Sequence, residues 1–532
     1  PWMIIIFICS SFIDLVGLGL IGPYLSLIIE PNFLLKGRLK DLIEASGLSF
    51  ENDSLLILLS VILVGVFFLK TVTAIFINRT IFVFSKNQQV RLKSLLMYTY
   101  QFMSYGDYLK RNSAEHVHAI NSHTNRFGAV MENGLKTISD LLVGIAIFIM
   151  LAWTNAIALG FMIFLLGVMV FGYDKLFRRN IRIYGKQTNL VSVKVMQGIR
   201  EGIEGLKEIR ILGKEKHFHQ KVLTGTKEVA EYGVKTSVLS TAPRFIIEFL
   251  LVFFVVSLVV GYLLMEENLF SLVPTLAIFG VAALRLLPTA NTISSSLIVL
   301  RYNRHSISSL YADLFEAEKV DWSLKSCSPE LKKENYFRHY TIRNVSFFYP
   351  NTKFPALKNL SFEIHSGESI GLIGTSGSGK TTLVDVLLGL LEPQKGELLY
   401  NGKPLEVSKS EWHSQVAYLP QQVFLIDNTL RQNVALGIED EEIDELRLNK
   451  ALRQSHLTEL VEQLPDGINT MLGERGVRIS GGQRQRVALA RAFYHERNVL
   501  IMDEATSALD SRTEKQVINH IHKRGCSAIM VA

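Results

Sequence analysis

Residues 369–388 read SIGLIGTSGSGKTTLVDVLL, and this stretch decides the fold of the second half of the chain. Residues 369–373 are short and apolar, as expected of a buried strand, and residues 383–388 continue as an apolar helix. Between them, residues 374–382 contain GxxxxGK[ST], the phosphate-binding P-loop pattern, in the strand–loop–helix setting that it requires. The stretch therefore predicts an α/β P-loop nucleotide-hydrolase domain.

The residue types of this loop suit the binding of ATP. Glycines let backbone N–H groups wrap around phosphates, and the N-terminus of the following helix favours negative charge. Lys380 is predicted to reach the β- and γ-phosphates, and the Thr381 hydroxyl to coordinate Mg²⁺. The predicted ATP contacts in this loop are Gly374, Thr375, Ser376, Gly377, Ser378, Gly379, Lys380, Thr381 and Thr382.

A second acidic element follows about 120 residues later, as a P-loop enzyme requires. Residues 499–502 read VLIM, an apolar strand, and Asp503 and Glu504 come directly after it. Asp503 is predicted to bind Mg²⁺ at the end of the strand. Glu504 is predicted to polarise the attacking water as the catalytic base. A solvated turn would also carry two acids, but a P-loop needs a metal partner.

The first 300 residues have a different character, because long apolar runs fill them. Hydrophobic residues make up 48% of the 532-residue chain and charged residues only 20%. A helix needs about 20 mostly apolar residues to cross a bilayer. Six spans are predicted, at residues 2–29, 55–77, 138–153, 156–173, 245–265 and 270–299. The first is too long for a signal peptide and no cleavage site follows it.

Loop charges predict the orientation of these spans. Residues 79–136 carry eight Lys and Arg against three Asp and Glu, and residues 174–243 carry fourteen against seven. Basic loops lie on the cytoplasmic side of a membrane protein. We therefore expect a multi-pass protein of a bacterial-type inner (plasma) membrane with a cytoplasmic C-terminal domain. The net charge of +7 then reflects these loops and predicts no nucleic-acid partner.

The two basic loops are long and have helical periodicity. We expect the membrane helices to continue into the cytoplasm and turn back, at residues 112–122 and 201–211, where each turn can contact a cytoplasmic domain. Cys9, Cys327 and Cys526 form no CxxC pair and predict neither a disulfide framework nor a zinc site.

Four charged residues lie within the predicted spans, where charge is costly unless it is paired or faces a cavity. They are Asp14, Lys70, Glu248 and Arg285. Asp14 and Lys70 come from neighbouring helices and are expected to pair, unless Lys70 extends to the membrane interface instead. Structural ion pairs and substrate contacts both remain open as the roles of these four residues.

The C-terminal domain resembles the ATPase domain of ABC transporters. Residues 479–483, ISGGQ, are similar to the family's signature motif, with Ile479 in place of the usual Leu. Residues 507–510 resemble the D-loop, and residues 473–476 resemble a short motif of ABC exporters. Gln421 matches the Q-loop, and Tyr349 the aromatic residue that stacks on adenine.

The resemblance implies how ATP is held. In this family the signature of one ATPase domain caps the ATP in the P-loop of another, so Ser480, Gly481, Gly482 and Gln483 are expected to contact ATP across a dimer. It also implies that Gln421 helps to hold Mg²⁺. A homodimer is the simplest assembly, and a heterodimer with a similar half is the alternative. The family's switch histidine is expected directly after Ala532.

The implied architecture is a multidomain membrane protein: an all-α six-helix ABC exporter transmembrane domain at residues 1–305, a linker at 306–338, and an α/β P-loop NTPase domain at 339–532. Fusion of the membrane domain to a following ATPase domain is typical of exporters.

Within the exporters, the chain resembles the flippase for lipid-linked oligosaccharides of bacterial N-glycosylation. The similar segments are residues 12–14, 22–23 and 284–291, together with Lys70. The resemblance implies an amphipathic substrate such as a lipid-linked oligosaccharide or a related glycolipid. A multidrug, lipid or peptide exporter is the alternative within transport. A soluble, non-transporting ABC ATPase is excluded by the predicted spans.

Overall fold

The computed structural model describes residues 2–29, 52–264, 269–318, 336–350, 352–473, 476–504 and 511–531. The chain divides into two compact units. The first contains Pro1–Met103 and Arg111–Val320, and the second contains Ser104–Lys110 and Asp321–Ala532.

The described residues of the first unit are almost entirely helical. Its helices are α1 (Trp2–Ile29), α2 (Asn52–Phe102), α4 (Ser113–His118), α5 (Thr124–Thr154), α6 (Ala156–Glu204), α7 (Leu206–Ile211), α8 (Glu215–Leu264), α9 (Leu269–Tyr302) and α10 (Arg304–Glu318). The short helix α3 (Tyr105–Tyr108) belongs to the second unit. Residues 306–318, predicted to be linker, form most of α10, while the predicted domain boundaries stay a prediction.

Within the described residues, four helices are long and apolar enough to cross a membrane. They are Leu56–Phe102, Ser113–Trp153, Ala156–Glu204 and Glu215–Gly261. These four helices cover all or most of the second to fifth predicted spans. A further apolar stretch, Met3–Gly17, lies within the 28-residue helix α1. Six spans therefore remain a prediction, of which four are supported.

The turn between the third and fourth predicted spans is tight. Helix α5 ends at Thr154 and α6 begins at Ala156, so that Asn155 alone separates them. Asn155 has an extended backbone, and its side-chain oxygen accepts a hydrogen bond from the Ala158 amide at 3.0 Å. This is an N-terminal cap, which satisfies a backbone donor that the helix itself cannot.

The contacts expected of the two predicted turns with a cytoplasmic domain stay a prediction. The segment grouped with the second unit is Ser104–Lys110, upstream of the predicted turn at 112–122, which lies in the first unit. Residues 201–211 also lie in the first unit.

Asp14 and Lys70 pair inside the first unit, as the sequence predicted. The Lys70 ammonium lies 2.8 Å from an Asp14 carboxylate oxygen, and the two side chains are only 11% and 8% exposed. Lys70 also lies over the Phe67 ring, 4.8 Å from its centroid. Glu248 pairs instead with Arg244 on its own helix at 3.0 Å. The Arg285 side chain lies outside the described residues.

The second unit contains two four-stranded sheets. The antiparallel sheet has the order β2–β1–β4–β5, with β1 at His339–Phe347, β2 at Leu357–His365, β4 at Lys395–Tyr400 and β5 at Lys403–Pro404. The parallel sheet has the order β3–β8–β7–β6, with β3 at Ser369–Leu372, β6 at Val416–Leu419, β7 at Val499–Asp503 and β8 at Ser527–Val531.

Helices surround these sheets. They are α11 (Lys380–Leu387), α12 (Leu405–Gln415), α13 (Leu430–Val434), α14 (Glu445–Gln454), α15 (Thr458–Gln463), α16 (Gly481–Tyr494) and α17 (Ser511–Lys523). Two hydrophobic cores result. One contains the apolar face of α11 together with β1 and Trp412, and the other contains α14 and α16.

We expect Asp14→Asn to destabilise the first unit by about 3 kcal/mol, because removing one partner of a buried pair leaves the Lys70 charge uncompensated. The measurement is the thermal unfolding midpoint of the full chain in detergent. Glu231→Gln is the control, since Glu231 pairs with Lys235 at an exposed position. Equal midpoints for the two variants would contradict a structural role for the buried pair.

Candidate functional site

The P-loop is positioned between strand β3 and helix α11. Gly379 is the N-terminal cap of α11 with φ +94°, a left-handed conformation that favours glycine. A Cβ atom at this position would lie 2.6 Å from the carbonyl oxygen of Ala356. Only glycine therefore lets the loop pass this close to neighbouring backbone and lead into the helix.

Lys380 is the first residue of α11. Its ammonium group donates a hydrogen bond to the carbonyl oxygen of Gly374, at the start of the loop, so that the side chain folds back along the loop. Most of the loop side chains are solvent-exposed, and so is Thr381. The loop is therefore an open cradle with a cation beside it, which suits a polyphosphate.

Thr382 and Tyr349 are brought together at the edge of this cradle. Their hydroxyl oxygens are 3.1 Å apart, and the Thr382 side chain is buried. The predicted adenine-stacking residue thus lies next to the last residue of the P-loop.

The acidic pair follows β7 as the sequence predicted. Asp503 ends β7 opposite Val531 of β8, and the Glu504 amide donates a hydrogen bond to the Val531 carbonyl at 3.2 Å. Glu504 has φ +49°, which is uncommon for a residue with a Cβ. Such strain is often found at active sites, where it aims a side chain.

Gln421 and Glu504 meet directly. The Gln421 side-chain amide donates a hydrogen bond to a Glu504 carboxylate oxygen at 2.6 Å, joining the segment after β6 to the end of β7. Lys380 and Asp503 are also close enough to interact, since the Lys380 charge favours the ionised form of Asp503. Four predicted site residues from three separate motifs therefore lie in one place.

Carboxylates converge here more closely than the sequence suggested. Burial and then the Glu504 charge raise the pKa of Asp503 above its ordinary value. Burial and then Asp503 raise the pKa of Asp385, in α11, to about 6. Sequence reasoning missed Asp385, although a carboxylate within the apolar run of residues 383–388 was a signal.

Tyr418 of β6 is a second residue that the sequence analysis missed. Burial and then the charge of Asp503 raise the pKa of Tyr418 to about 12. Its position three residues before Gln421 was the available signal.

The signature residues lie beside a different hydrophobic core from the one that contains α11. Ser480 caps α16: its hydroxyl accepts from the Gln483 amide at 3.3 Å, and the Gln483 side chain accepts from the Ser480 amide at 2.7 Å. Gly481 and Gly482 form the first turn of the helix. Ile479, the departure from the family's usual Leu, is buried.

In the part of the chain that the structure describes, no hydrogen bond or ion pair joins these signature residues to the P-loop. The D-loop at residues 507–510, together with Glu474 and Arg475, lies outside the described residues.

The donor set fits magnesium-bound ATP. Asp503, Gln421 and Thr381 offer the hard oxygen ligands that Mg²⁺ prefers. Among the described residues, no group of three or more His, Cys, Asp or Glu forms a metal site by itself. That pattern fits Mg²⁺ in nucleotide sites, where one or two carboxylates act together with the phosphates.

Two family models match the chain. The model described as ABC transporter matches residues 357–507, and the model described as ABC transporter transmembrane region matches residues 3–282, more than half of the chain. The chain belongs to the ABC transporter family. It is a half-transporter, with one membrane region followed by one ATPase region. This ABC half-transporter is therefore an integral membrane protein of the inner membrane with a cytoplasmic ATPase domain, as predicted.

Relatives of this ABC half-transporter include proteins named ATP-dependent lipid A-core flippase. That of Cupriavidus pinatubonensis (strain JMP 134 / LMG 1197) is 45% identical over 175 residues, 32% of this chain and 30% of that protein. That of Saccharophagus degradans (strain 2-40 / ATCC 43961 / DSM 17024) is 26% identical over 494 residues, 91% of this chain and 81% of that protein. The match thus spans less than a third of the length of the Cupriavidus protein.

A solved structure shows the same fold. It is described as a bacterial Atm1-family ABC exporter with ATP bound, and it matches with a TM-score of 0.76 at 18% identity. The match covers 100% of this chain and 91% of that one. The ABC exporter fold, with a helical membrane region and a nucleotide-binding region, is therefore shown for this half-transporter.

We expect Gly379→Ala to weaken ATP binding roughly ten-fold or more, because the added methyl group meets the Ala356 carbonyl and the positive φ adds about 1–3 kcal/mol of strain. The measurement is a titration of the full chain with a fluorescent ATP analogue. Gly371→Ala is the matched control, since a Cβ there meets no heavy atom within 4 Å. Wild-type affinity in Gly379→Ala would contradict the role of the close approach.

Proposed function

We propose that this half-transporter hydrolyses ATP to move an amphipathic lipid across the membrane, and that it works as a dimer. The observation that carries the proposal is the meeting of Gln421 with Glu504 beside Asp503 and Lys380. These residues come from three motifs that are far apart in the sequence, and an ATPase needs them together.

The proposed roles in the ATP site follow from this geometry. The backbone of residues 374–380 wraps the phosphates, and Lys380 offsets the charge of the β- and γ-phosphates. Asp503, Thr381 and Gln421 would hold Mg²⁺, which would neutralise charge on the phosphates. Glu504 accepts a proton from the attacking water, a role for which its contact with Gln421 orients the carboxylate.

Other predicted contacts complete the ATP site. Tyr349 provides an aromatic ring for adenine at the edge of the loop. The open, exposed side of the P-loop is left for groups from a second ATPase domain. Ser480, Gly481, Gly482 and Gln483 of a partner copy are proposed to provide them.

The separation of the P-loop and signature between two hydrophobic cores supports this dimer. The helix N-terminus at Gly481 presents backbone N–H groups to an anion, and one chain has one such cap and one P-loop. A homodimer supplies both sites with the fewest components. A heterodimer with a similar half is the alternative.

Coupling to transport is proposed to pass through the backbone. Ser104–Lys110 groups with the ATPase unit, while the chain on both sides of it belongs to the helical unit. Movement of the ATPase unit on ATP binding and hydrolysis would therefore act on α2 and α4 directly. The energy is the difference in ATP binding between two conformations, as any such switch requires.

A lipid-type substrate is supported by the relatives named lipid A-core flippases. The finer proposal is a lipid-linked oligosaccharide or a related glycolipid, on the basis of the sequence resemblance in the first, second and sixth predicted spans. A drug or peptide exporter is the second candidate, supported only by the shared exporter fold.

We expect Glu504→Gln to lower ATP turnover by at least 10²-fold while ATP still binds, because the amide cannot accept the proton but occupies the same volume. Steady-state hydrolysis and nucleotide titration of the full chain measure the two effects. Lys380→Ala is the comparison, in which binding itself should fall. Normal hydrolysis by Glu504→Gln would overturn its assigned role.

The substrate is tested in liposomes that contain the full chain. We expect a polyprenyl-pyrophosphate oligosaccharide to stimulate ATP hydrolysis and to move between leaflets, whereas drugs and peptides should do neither. The same assay with lipid A-core is the comparison. Stimulation by lipid A-core alone would replace the finer substrate proposal, and stimulation only by drugs or peptides would remove the lipid class.

A further inference from the structure

Asp313, on helix α10, is buried and uses both oxygens of its carboxylate. One oxygen accepts a hydrogen bond from the Tyr100 hydroxyl at 3.0 Å, and the other pairs with the Arg111 guanidinium. Asp313 is only 5% exposed, so that its charge depends on these two partners rather than on water. The carboxylate therefore joins three segments of the chain: the end of α2, the residue that follows Lys110, and α10.

These three segments flank the places where the chain passes between its two compact units. Tyr100 lies just before Ser104, where the chain enters the second unit, and Arg111 is the residue at which it returns to the first. Helix α10 comes shortly before Asp321, where the chain enters the second unit again. Asp313 therefore holds together, within the helical unit, the flanks of all three passages.

The chain that follows Ser104–Lys110 is held at a second point. The Arg200 guanidinium, on α6, donates hydrogen bonds to the Asn112 side-chain oxygen at 2.8 Å and to the Ser113 hydroxyl. Asn112 also accepts a hydrogen bond from the Ala114 amide at 3.1 Å and so caps α4. A shift of Ser104–Lys110 would therefore reach α4, α6 and α10 through hydrogen-bonded side chains, rather than be absorbed by a free loop.

Stability alone is a weak reason for a charge to be buried at this point. Apolar side chains can often replace a buried ion pair without loss of stability. A charge-assisted hydrogen bond is directional, and it fixes the geometry between two elements more closely than an apolar contact does. Asp313 thus gives α2, α10 and the residue after Lys110 one defined relative position.

We propose that Asp313 is a positioning residue for the coupling of ATP hydrolysis to the membrane helices, because its carboxylate makes both flanks of Ser104–Lys110 and helix α10 move as one body. The inference rests on the proposed function, in which the ATPase unit acts on the helical unit through this segment. Without the two contacts of the carboxylate, α2 and α10 would receive the movement separately, while ATP would still be hydrolysed in the second unit.

Two variants break the contact in different ways. Arg111→Ala changes a side chain that is 41% exposed, and it leaves the Tyr100 hydrogen bond in place. The double variant Arg111→Met with Asp313→Asn removes both charges, so that no uncompensated buried charge remains. Lys235→Ala is the matched control, since Lys235 is 45% exposed and pairs with Glu231 on its own helix.

The test is hydrogen–deuterium exchange of the full chain in nanodiscs, with and without Mg²⁺, ADP and vanadate, beside steady-state ATP hydrolysis. In wild type we expect the nucleotide to change amide exchange at the P-loop, in residues 91–102 of α2 and in residues 304–318 of α10. In Arg111→Ala and in the double variant, the change in the two helices should fall about two-fold or more. The change at the P-loop and ATP hydrolysis should remain, and Lys235→Ala should match wild type throughout.

The outcomes separate the inference from the proposed function. A wild-type change of exchange in α2 and α10 in both variants would overturn the inference, even if exchange without nucleotide were faster, because that result indicates a structural role only. Loss of the P-loop change in the double variant would also overturn it, since the effect would not be confined to the helical unit.

Two results in wild type decide what else fails. If the nucleotide changes exchange at the P-loop but in neither helix, coupling through Ser104–Lys110 is wrong and the inference with it, while the ATPase function stands. If wild type neither binds nor hydrolyses the nucleotide, the proposed function itself is wrong.

Discussion

The parallel pairing of β3, β8, β7 and β6 is the constraint on which the ATP site depends. In a parallel sheet the carboxyl ends of all strands meet at one edge, where ligands bind in α/β folds. The P-loop follows β3, Asp503 and Glu504 come at the end of β7, and Gln421 follows β6. Motifs spread over about 130 residues of chain therefore meet because their strands pair in register.

Several carboxylates lie at this same edge, and neighbouring side chains interact with their negative charge. Lys380 favours the ionised form of Asp503, and Gln421 donates a hydrogen bond to Glu504. Burial and then the charge of Asp503 raise the pKa of Asp385 to about 6. A site arranged in this way is ready for a cation and a polyphosphate, because like charges brought together are stabilised when counter-charge arrives.

The helical unit also contains buried charge, but here the surroundings are apolar. The buried pair of Asp14 and Lys70 is held between α1 and α2, where either charge alone would be costly. Such a pair is weak evidence for stability but good evidence that these two helices have one defined relative position.

The amino-acid sequence by itself determined the family, the P-loop, the acidic pair after β7, four of the membrane-crossing helices and the Asp14–Lys70 pair. These features are local patterns, or the pairing of two charges that have few other partners in an apolar unit. Only the tertiary structure decided that Gln421 contacts Glu504, that Tyr418 and Asp385 surround Asp503, and that Ser104–Lys110 groups with the ATPase unit. Those contacts depend on strand register and on where a helix turns. Neither can be predicted from the local pattern of residues.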